Sequence, residues 1–78
     1  MNAKDIQFHV ERLKTELAEL EWKRDHFTER RAELKRRNAP STMIRRYDLD
    51  LKDVIDVINA KNIELWGLQE MQLNRYDG

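Results

Sequence analysis

Residues 48–53, Asp-Leu-Asp-Leu-Lys-Asp, have a carboxylate spacing that resembles a calcium-binding loop. Such a loop supplies oxygen ligands from its first, third and fifth positions and has a glycine at the sixth. Here Lys52 stands at the fifth position and Asp53 at the sixth. We therefore expect no metal site in this stretch. We interpret it as the acidic first turns of a helix, where negative charge is favourable.

Residue types that commonly carry catalysis are sparse and isolated in this sequence. The two histidines, His9 and His26, are far apart, and neither is the second residue of a Glu-x-x-His pair of the kind that holds metals in helical bundles. Cysteine is absent, and no glycine-rich phosphate loop is present. We therefore expect no enzymatic activity, no cofactor and no metal.

A concentration of basic residues is the strongest chemical signal in the chain. Residues 23–46 contain nine Lys or Arg and three acids, a balance of +6, whereas the whole chain is neutral. Such a cluster can bind phosphates of nucleic acids or an acidic protein surface. Among residues 30–47 the only aromatic residue that could stack on bases is Tyr47, which belongs to the apolar repeat described below. The candidate residues for binding a polyanion or an acidic partner are Arg30, Arg31, Lys35, Arg36, Arg37, Arg45 and Arg46.

The elements that position these residues follow from an apolar repeat with alternating steps of four and three, which is typical of helices that pack along a seam. The first stretch with this repeat comprises Ile6, Val10, Leu13, Leu17, Leu20, Phe27 and Leu34, interrupted by Arg24 and Arg31. The second comprises Ile44, Tyr47, Leu51, Val54, Ile58, Leu65 and Leu68, interrupted by Lys61 and continued by Gln72. If the chain reverses at residues 38–40, residues whose numbers add up to 78 face each other.

The sequence therefore predicts an all-α fold, an antiparallel two-helix hairpin with a coiled-coil-like seam. We expect one domain over residues 1–78, with the first helix at about 3–37, the turn at 38–41 and the second helix at about 42–74. Asn2 is expected to cap the first helix, and Asn38 or Ser41 the second. No apolar run is long enough to cross a membrane, and we expect a soluble, cytoplasmic protein.

Polar residues within the seam need partners. Arg24 and Arg31 are expected to lay their aliphatic stems on the seam while their guanidinium groups reach Asp48, Asp50 or Asp53. Lys61 is expected to pair with Glu16. A second interpretation is that the two arginines form part of an anion-binding surface.

Apolar residues also occur away from the seam, where a solvated helix face should be charged. They indicate either self-association into a four-helix bundle or a docking surface for another protein. The candidate protein-interaction residues are Phe8, Trp22, Val57, Ala60, Ile63, Trp66, Gly67 and Met71.

From these patterns we expect a non-enzymatic protein–protein interaction module, a small adaptor, regulator or inhibitor that acts through exposed helix faces. The expected partners are a second copy of the chain, as a homodimer, and an unidentified protein. The alternative is binding of RNA or DNA by the basic turn end of a helical-hairpin dimer. A membrane is not an expected partner.

Overall fold

The computed structural model describes residues 2–76, with side chains as far as residue 73, and contains two long helices. Helix α1 spans Ala3–Arg36 and helix α2 spans Ser41–Tyr76. They pack side by side in opposite directions and form a rod of 59 × 16 × 15 Å. Residues 2–76 contain no strand. The prediction of an all-α helical hairpin is therefore confirmed.

The core of the hairpin is the predicted seam. Every side chain assigned to the seam is buried or half-buried. The buried ones are Ile6, Val10, Leu13, Leu17 and Ile58, none of which is more than 6% exposed. Four of these five lie in the first half of α1, so the packing is tightest in the part of the rod away from the turn.

Three polar contacts between the helices fix their register. Gln72 donates to Gln7 at 2.8 Å, Lys61 donates to Glu16 at 2.6 Å, and Arg31 donates to Asp48. The residue numbers of these pairs add up to 79, 77 and 79, within one of the predicted 78. Because the three pairs are spread along the rod, the predicted register holds from the open end to the last turns before the connection.

The start of α1 has the predicted cap. The side-chain oxygen of Asn2 accepts a hydrogen bond from the backbone N–H of Asp5 at 2.9 Å. Asn2 thereby satisfies one of the donors that the first turn of a helix leaves without a partner.

The connection between the helices differs from the prediction for Asn38 and Ser41. Asn38 adopts a left-handed conformation, with φ of 55°, and terminates α1 rather than capping α2. Its N–H donates to the carbonyl of Lys35, and that of Ala39 donates to the carbonyl of Leu34, as in a Schellman motif. Ser41 is already the first residue of α2, because the carbonyl of Pro40 accepts the first bonds of that helix.

Replacing Asn38 by glycine is expected to stabilise the hairpin. Glycine has no Cβ and adopts the left-handed conformation without strain, so Asn38→Gly should raise the free energy of unfolding by up to about 1 kcal/mol. Asn38→Ala should lower it by about 1 kcal/mol, since an alanine Cβ is strained there. Urea unfolding followed by circular dichroism measures both changes. Equal stability of the two variants would mean that this residue is not left-handed in solution.

Candidate protein-interaction surface

Large apolar side chains are exposed mainly in one half of the rod. We define the open half as residues 2–23, which comprise Asn2 and the first part of α1, together with residues 55–73 of α2, and the turn half as residues 24–54. Within residues 2–73, eight large hydrophobic side chains in the open half are more than 40% exposed, against two in the turn half. Those of the open half are Phe8, Trp22, Ile55, Val57, Ile63, Trp66, Met71 and Leu73. The exposed apolar surface and the basic cluster therefore occupy opposite halves of the molecule.

One stripe of these residues runs along the side of α2 that faces away from the seam. We call it the outer face; it consists of Val57, Ala60, Ile63, Gly67 and Met71. Their spacing of three and four residues places them on one side of the helix. Ile63 is 71% exposed and lies opposite the seam. The outer face is thus a mainly exposed and mainly apolar stripe about four turns long, in which the exposed carboxylate of Glu64 lies between Val57 and Met71.

The glycine of the outer face, Gly67, has open space beside it within the hairpin. A Cβ added to Gly67 would have no atom within 4 Å other than those of its own helix backbone and chain neighbours. Glycine in a helix costs about 1 kcal/mol relative to alanine. Alanine would fit at residue 67 within the hairpin and would avoid this cost. The packing of the single hairpin therefore does not require a glycine there.

The two exposed aromatic residues of α1 lie on another surface. Phe8 and Trp22 are both 66% exposed and both lie opposite the seam on α1, whereas Ile63 lies opposite the seam on α2. The ring of Trp22 stacks on that of His26, with centroids 5.2 Å apart and an interplanar angle of 4°. The structure therefore divides the predicted interaction residues into two surfaces on opposite sides of the rod, except Trp66, which is 64% exposed, lies beside the seam and belongs to neither.

Two apolar residues near these surfaces were missed by the prediction. Leu73 is 62% exposed and stands one heptad after Trp66, on the same side of α2. Ile55 is 41% exposed and lies beside the seam. The heptad spacing from Trp66 was a signal for Leu73. Ile55 had no comparable signal, since an apolar residue next to a seam is usually taken as part of the core.

The basic cluster is partly neutralised within the chain. Arg30 and Arg37 both bond to Glu33, at 3.4 and 2.8 Å, and Arg31 bonds to Asp48 as predicted. Arg24 differs from the prediction, because its guanidinium group bonds to Asp25 of the same helix at 3.3 Å rather than to α2. Four exposed cations of the predicted cluster take part in none of the ion pairs among residues 2–73. They are Lys35, Arg36, Arg45 and Arg46.

The contact between Lys61 and Glu16 is the polar centre of the open half. The Lys61 Nζ lies 2.6 Å from Glu16, and the Arg12 Nε lies 3.1 Å from the same carboxylate. Hydrogen bonds from Lys61 and then from Arg12 lower the pKa of Glu16 below its ordinary value of 4.5. The contact ties the helices together at a seam position that would otherwise hold an apolar residue.

This lowered pKa predicts a dependence of stability on pH. A carboxylate whose pKa is lower in the folded state adds stability above pH 4.5, and that stability is lost as the pH falls through the lower folded-state pKa. Glu16→Gln should therefore flatten the acid side of a plot of melting temperature against pH. Glu21→Gln, which changes an exposed carboxylate of α1 outside these ion pairs, is the control. Wild-type and Glu16→Gln curves of the same shape below pH 5 would contradict the prediction.

The described residues offer no metal centre and no membrane-spanning helix. Within residues 2–76, no group of three His, Asp or Glu side chains is arranged to hold a metal ion. Neither helix, over the same range, has a stretch both long and apolar enough to cross a bilayer. Comparisons with protein-family models, curated proteins and solved structures gave no match to this chain.

Proposed function

We propose that this chain is a non-enzymatic protein–protein interaction module, an adaptor, regulator or inhibitor that acts through exposed helix faces. We propose further that one of its partners is a second copy of itself, so that two hairpins form a four-helix bundle. The observation that carries the proposal is the outer face, an apolar stripe that stays exposed although the seam of the hairpin is already filled.

The energetics of a small hairpin support this proposal. A chain of this size gains only about 3–5 kcal/mol from a single core, and here the core contains five buried apolar side chains. Covering one exposed large apolar side chain contributes about 1.5–3 kcal/mol. Ile63, Val57 and Met71 are 71%, 43% and 54% exposed, so covering all three would contribute roughly 3–5 kcal/mol before the cost of association is subtracted.

Light scattering over a dilution series tests the proposed self-association. The wild-type chain should reach about twice its mass of 9.5 kDa, and Ile63→Asp should remain monomeric with unchanged helicity, because a carboxylate would have to be desolvated in the interface. Thr15→Asp, at an exposed position of α1, should leave the dimer intact. A wild-type monomer at the highest concentration, in low and high salt, would overturn self-association and leave a different protein as the occupant of this face.

Nucleic-acid binding by the turn end is the second candidate function. Its support is the set of four exposed cations, Lys35, Arg36, Arg45 and Arg46, that lie near the turn outside the ion pairs of residues 2–73. Binding to generic RNA and duplex DNA should weaken with salt, with a slope of about 0.9 per phosphate contacted on the duplex. Arg45→Gln combined with Arg46→Gln should reduce that slope. The absence of binding at about 50 mM salt would remove this candidate.

A further inference from the structure

We propose that the outer face binds a basic amphipathic helix of another protein, which lays its apolar side on this face and its lysine or arginine side chains against the surrounding carboxylates. The inference rests on the proposed function as an interaction module and adds the chemistry of the partner. It does not depend on the proposed dimer, because the basic helix and a second copy of the chain would occupy the same face and compete for it.

The charged residues of α2 are unevenly distributed around the helix. Between residues 53 and 73, four acids lie three, four or seven residues from members of the outer face, which places them on the same side of α2. They are Asp53, Asp56, Glu64 and Glu70. The single cation of this stretch, Lys61, lies in the seam and bonds to Glu16 at 2.6 Å. The side of α2 that carries the outer face is therefore acidic as well as apolar.

These four carboxylates are not neutralised within the described part of the hairpin. None of the ion pairs among residues 2–73 includes one of them. Asp53, Asp56 and Glu64 are exposed, and Glu70 is half-buried. A second copy of the chain would bring four further carboxylates to the contact, whereas a basic helix would bring the opposite charge within the screening length of about 8 Å. Charge complementarity therefore favours the basic helix over the second copy.

The shape of the outer face suits a helix. Ala60 and Gly67 lie along its middle line, with Ile63 on one side and Val57 and Met71 on the other. Small residues at the centre of a helix face allow another helix to approach closely, and a Cβ at Gly67 would project into empty space. A helix that docks in this way presents apolar residues at steps of three and four, the same spacing that the outer face has.

A shallow depression on this face combines the two properties. It has a volume of about 390 Å³ and is lined by Asp56, Val57, Ala60, Lys61 and Glu64. The two carboxylates belong to the acids described above, and the one cation is already bonded to Glu16. An apolar side chain of the partner would fill the depression, while a neighbouring lysine or arginine would reach a carboxylate at its edge.

Synthetic helical peptides added to the full chain test this inference. The probe has about 18 residues, or about 27 Å as a helix, with leucine at alternating steps of three and four and lysine at the flanking positions. This leucine–lysine peptide should bind the wild-type chain in a fluorescence anisotropy titration, and salt should weaken the binding. Two control peptides each lose one property: glutamate replaces lysine in the first, and serine replaces leucine in the second. Neither control should bind.

Neutralising two acids of the depression tests the contribution of charge. Asp56→Asn combined with Glu64→Gln should weaken binding of the leucine–lysine peptide about fivefold, because each exposed ion pair contributes a factor of about two to three in affinity. Glu21→Gln combined with Glu29→Gln removes the same charge from exposed positions of α1. This matched control should change the affinity less than about twofold.

Ile63→Asp separates docking on the outer face from a general attraction between charges. It adds a negative charge to the middle of the face, so attraction alone would make the leucine–lysine peptide bind more tightly. If the leucines of the peptide lie on this face, the new carboxylate loses its water on binding, and the affinity should fall at least about tenfold. Tighter binding by Ile63→Asp would overturn the inference.

The outcomes distinguish this inference from the proposed self-association. Light scattering of the mixture should show a complex of one chain with one peptide in place of the dimer. A chain that is monomeric alone and still binds the leucine–lysine peptide would overturn only self-association. A dimer that does not bind this peptide, or that binds the glutamate control equally well, would overturn only the basic partner. A monomer that binds none of the peptides would overturn both.

Discussion

Ile58→Asp is expected to unfold the chain. Ile58 is 5% exposed and is the one buried α2 side chain among residues 41–73. It lies in the middle of the seam, at the position that the register places opposite Leu20. A buried carboxylate without a partner costs several kcal/mol, as much as a domain of this size gains from its core. Far-ultraviolet circular dichroism at 25 °C should show loss of most of the helical signal.

Asn59→Asp provides the matched control for this prediction. It introduces the same charge at the next residue of α2, but at an exposed position, and should change the free energy of unfolding by less than about 0.5 kcal/mol. Ile58→Ala should lie between the two, with a loss of about 2–5 kcal/mol. Retention of wild-type helicity and melting temperature by Ile58→Asp would mean that the observed register is not the one present in solution.

The seam could be predicted because its information is contained in the spacing of residues. Apolar side chains repeating every 3.5 residues on average identify the buried side of each helix, and the position of Pro40 locates the reversal. Lys61 could be assigned to Glu16 for the same reason. Once the register is known, only a few carboxylates are within reach of a given seam cation.

The hydrogen-bond and ion-pair partners of individual polar side chains could not be predicted to the same extent. Asn38 suits the start of one helix and the end of another equally well, since asparagine accepts hydrogen bonds at an N-cap and also tolerates the left-handed conformation. Arg24 has an acidic neighbour on its own helix, Asp25, as well as acids across the seam. Its long side chain reaches either, and spacing alone does not decide between exposed ion pairs of similar free energy.

The outer face could be found from the sequence, because apolar residues opposite a seam break the expected polar pattern. That the outer face and the surface formed by Phe8 and Trp22 are separate could be seen only once the arrangement of the two helices in space was known. What covers the outer face depends on a second molecule. The free energy that selects an occupant lies in contacts between chains, and the sequence of one chain does not contain that information.

Gly67→Ala should have opposite effects on the hairpin and on its dimer. Within one chain, alanine raises helix stability by about 1 kcal/mol and meets no neighbouring atom within 4 Å. In the proposed dimer, the second copy covers the outer face, which includes Gly67, and an added methyl group there would push the two copies apart. We expect the dissociation constant of the dimer to rise about tenfold for Gly67→Ala and at least about a hundredfold for Gly67→Leu. These factors correspond to the free energy that overpacking a tight contact costs.

Melting curves measured at two concentrations test this reversal. At low concentration, where the chain is monomeric, Gly67→Ala should melt at a higher temperature than the wild type. At high concentration, where association stabilises the wild type by mass action, the order should reverse. Gln69→Ala, an exposed α2 position outside the outer face, should shift both curves in the same direction. A Gly67→Ala chain that is more stable at every concentration would show that no helix packs closely against this glycine, because only a contact between chains makes the effect of one methyl group depend on concentration.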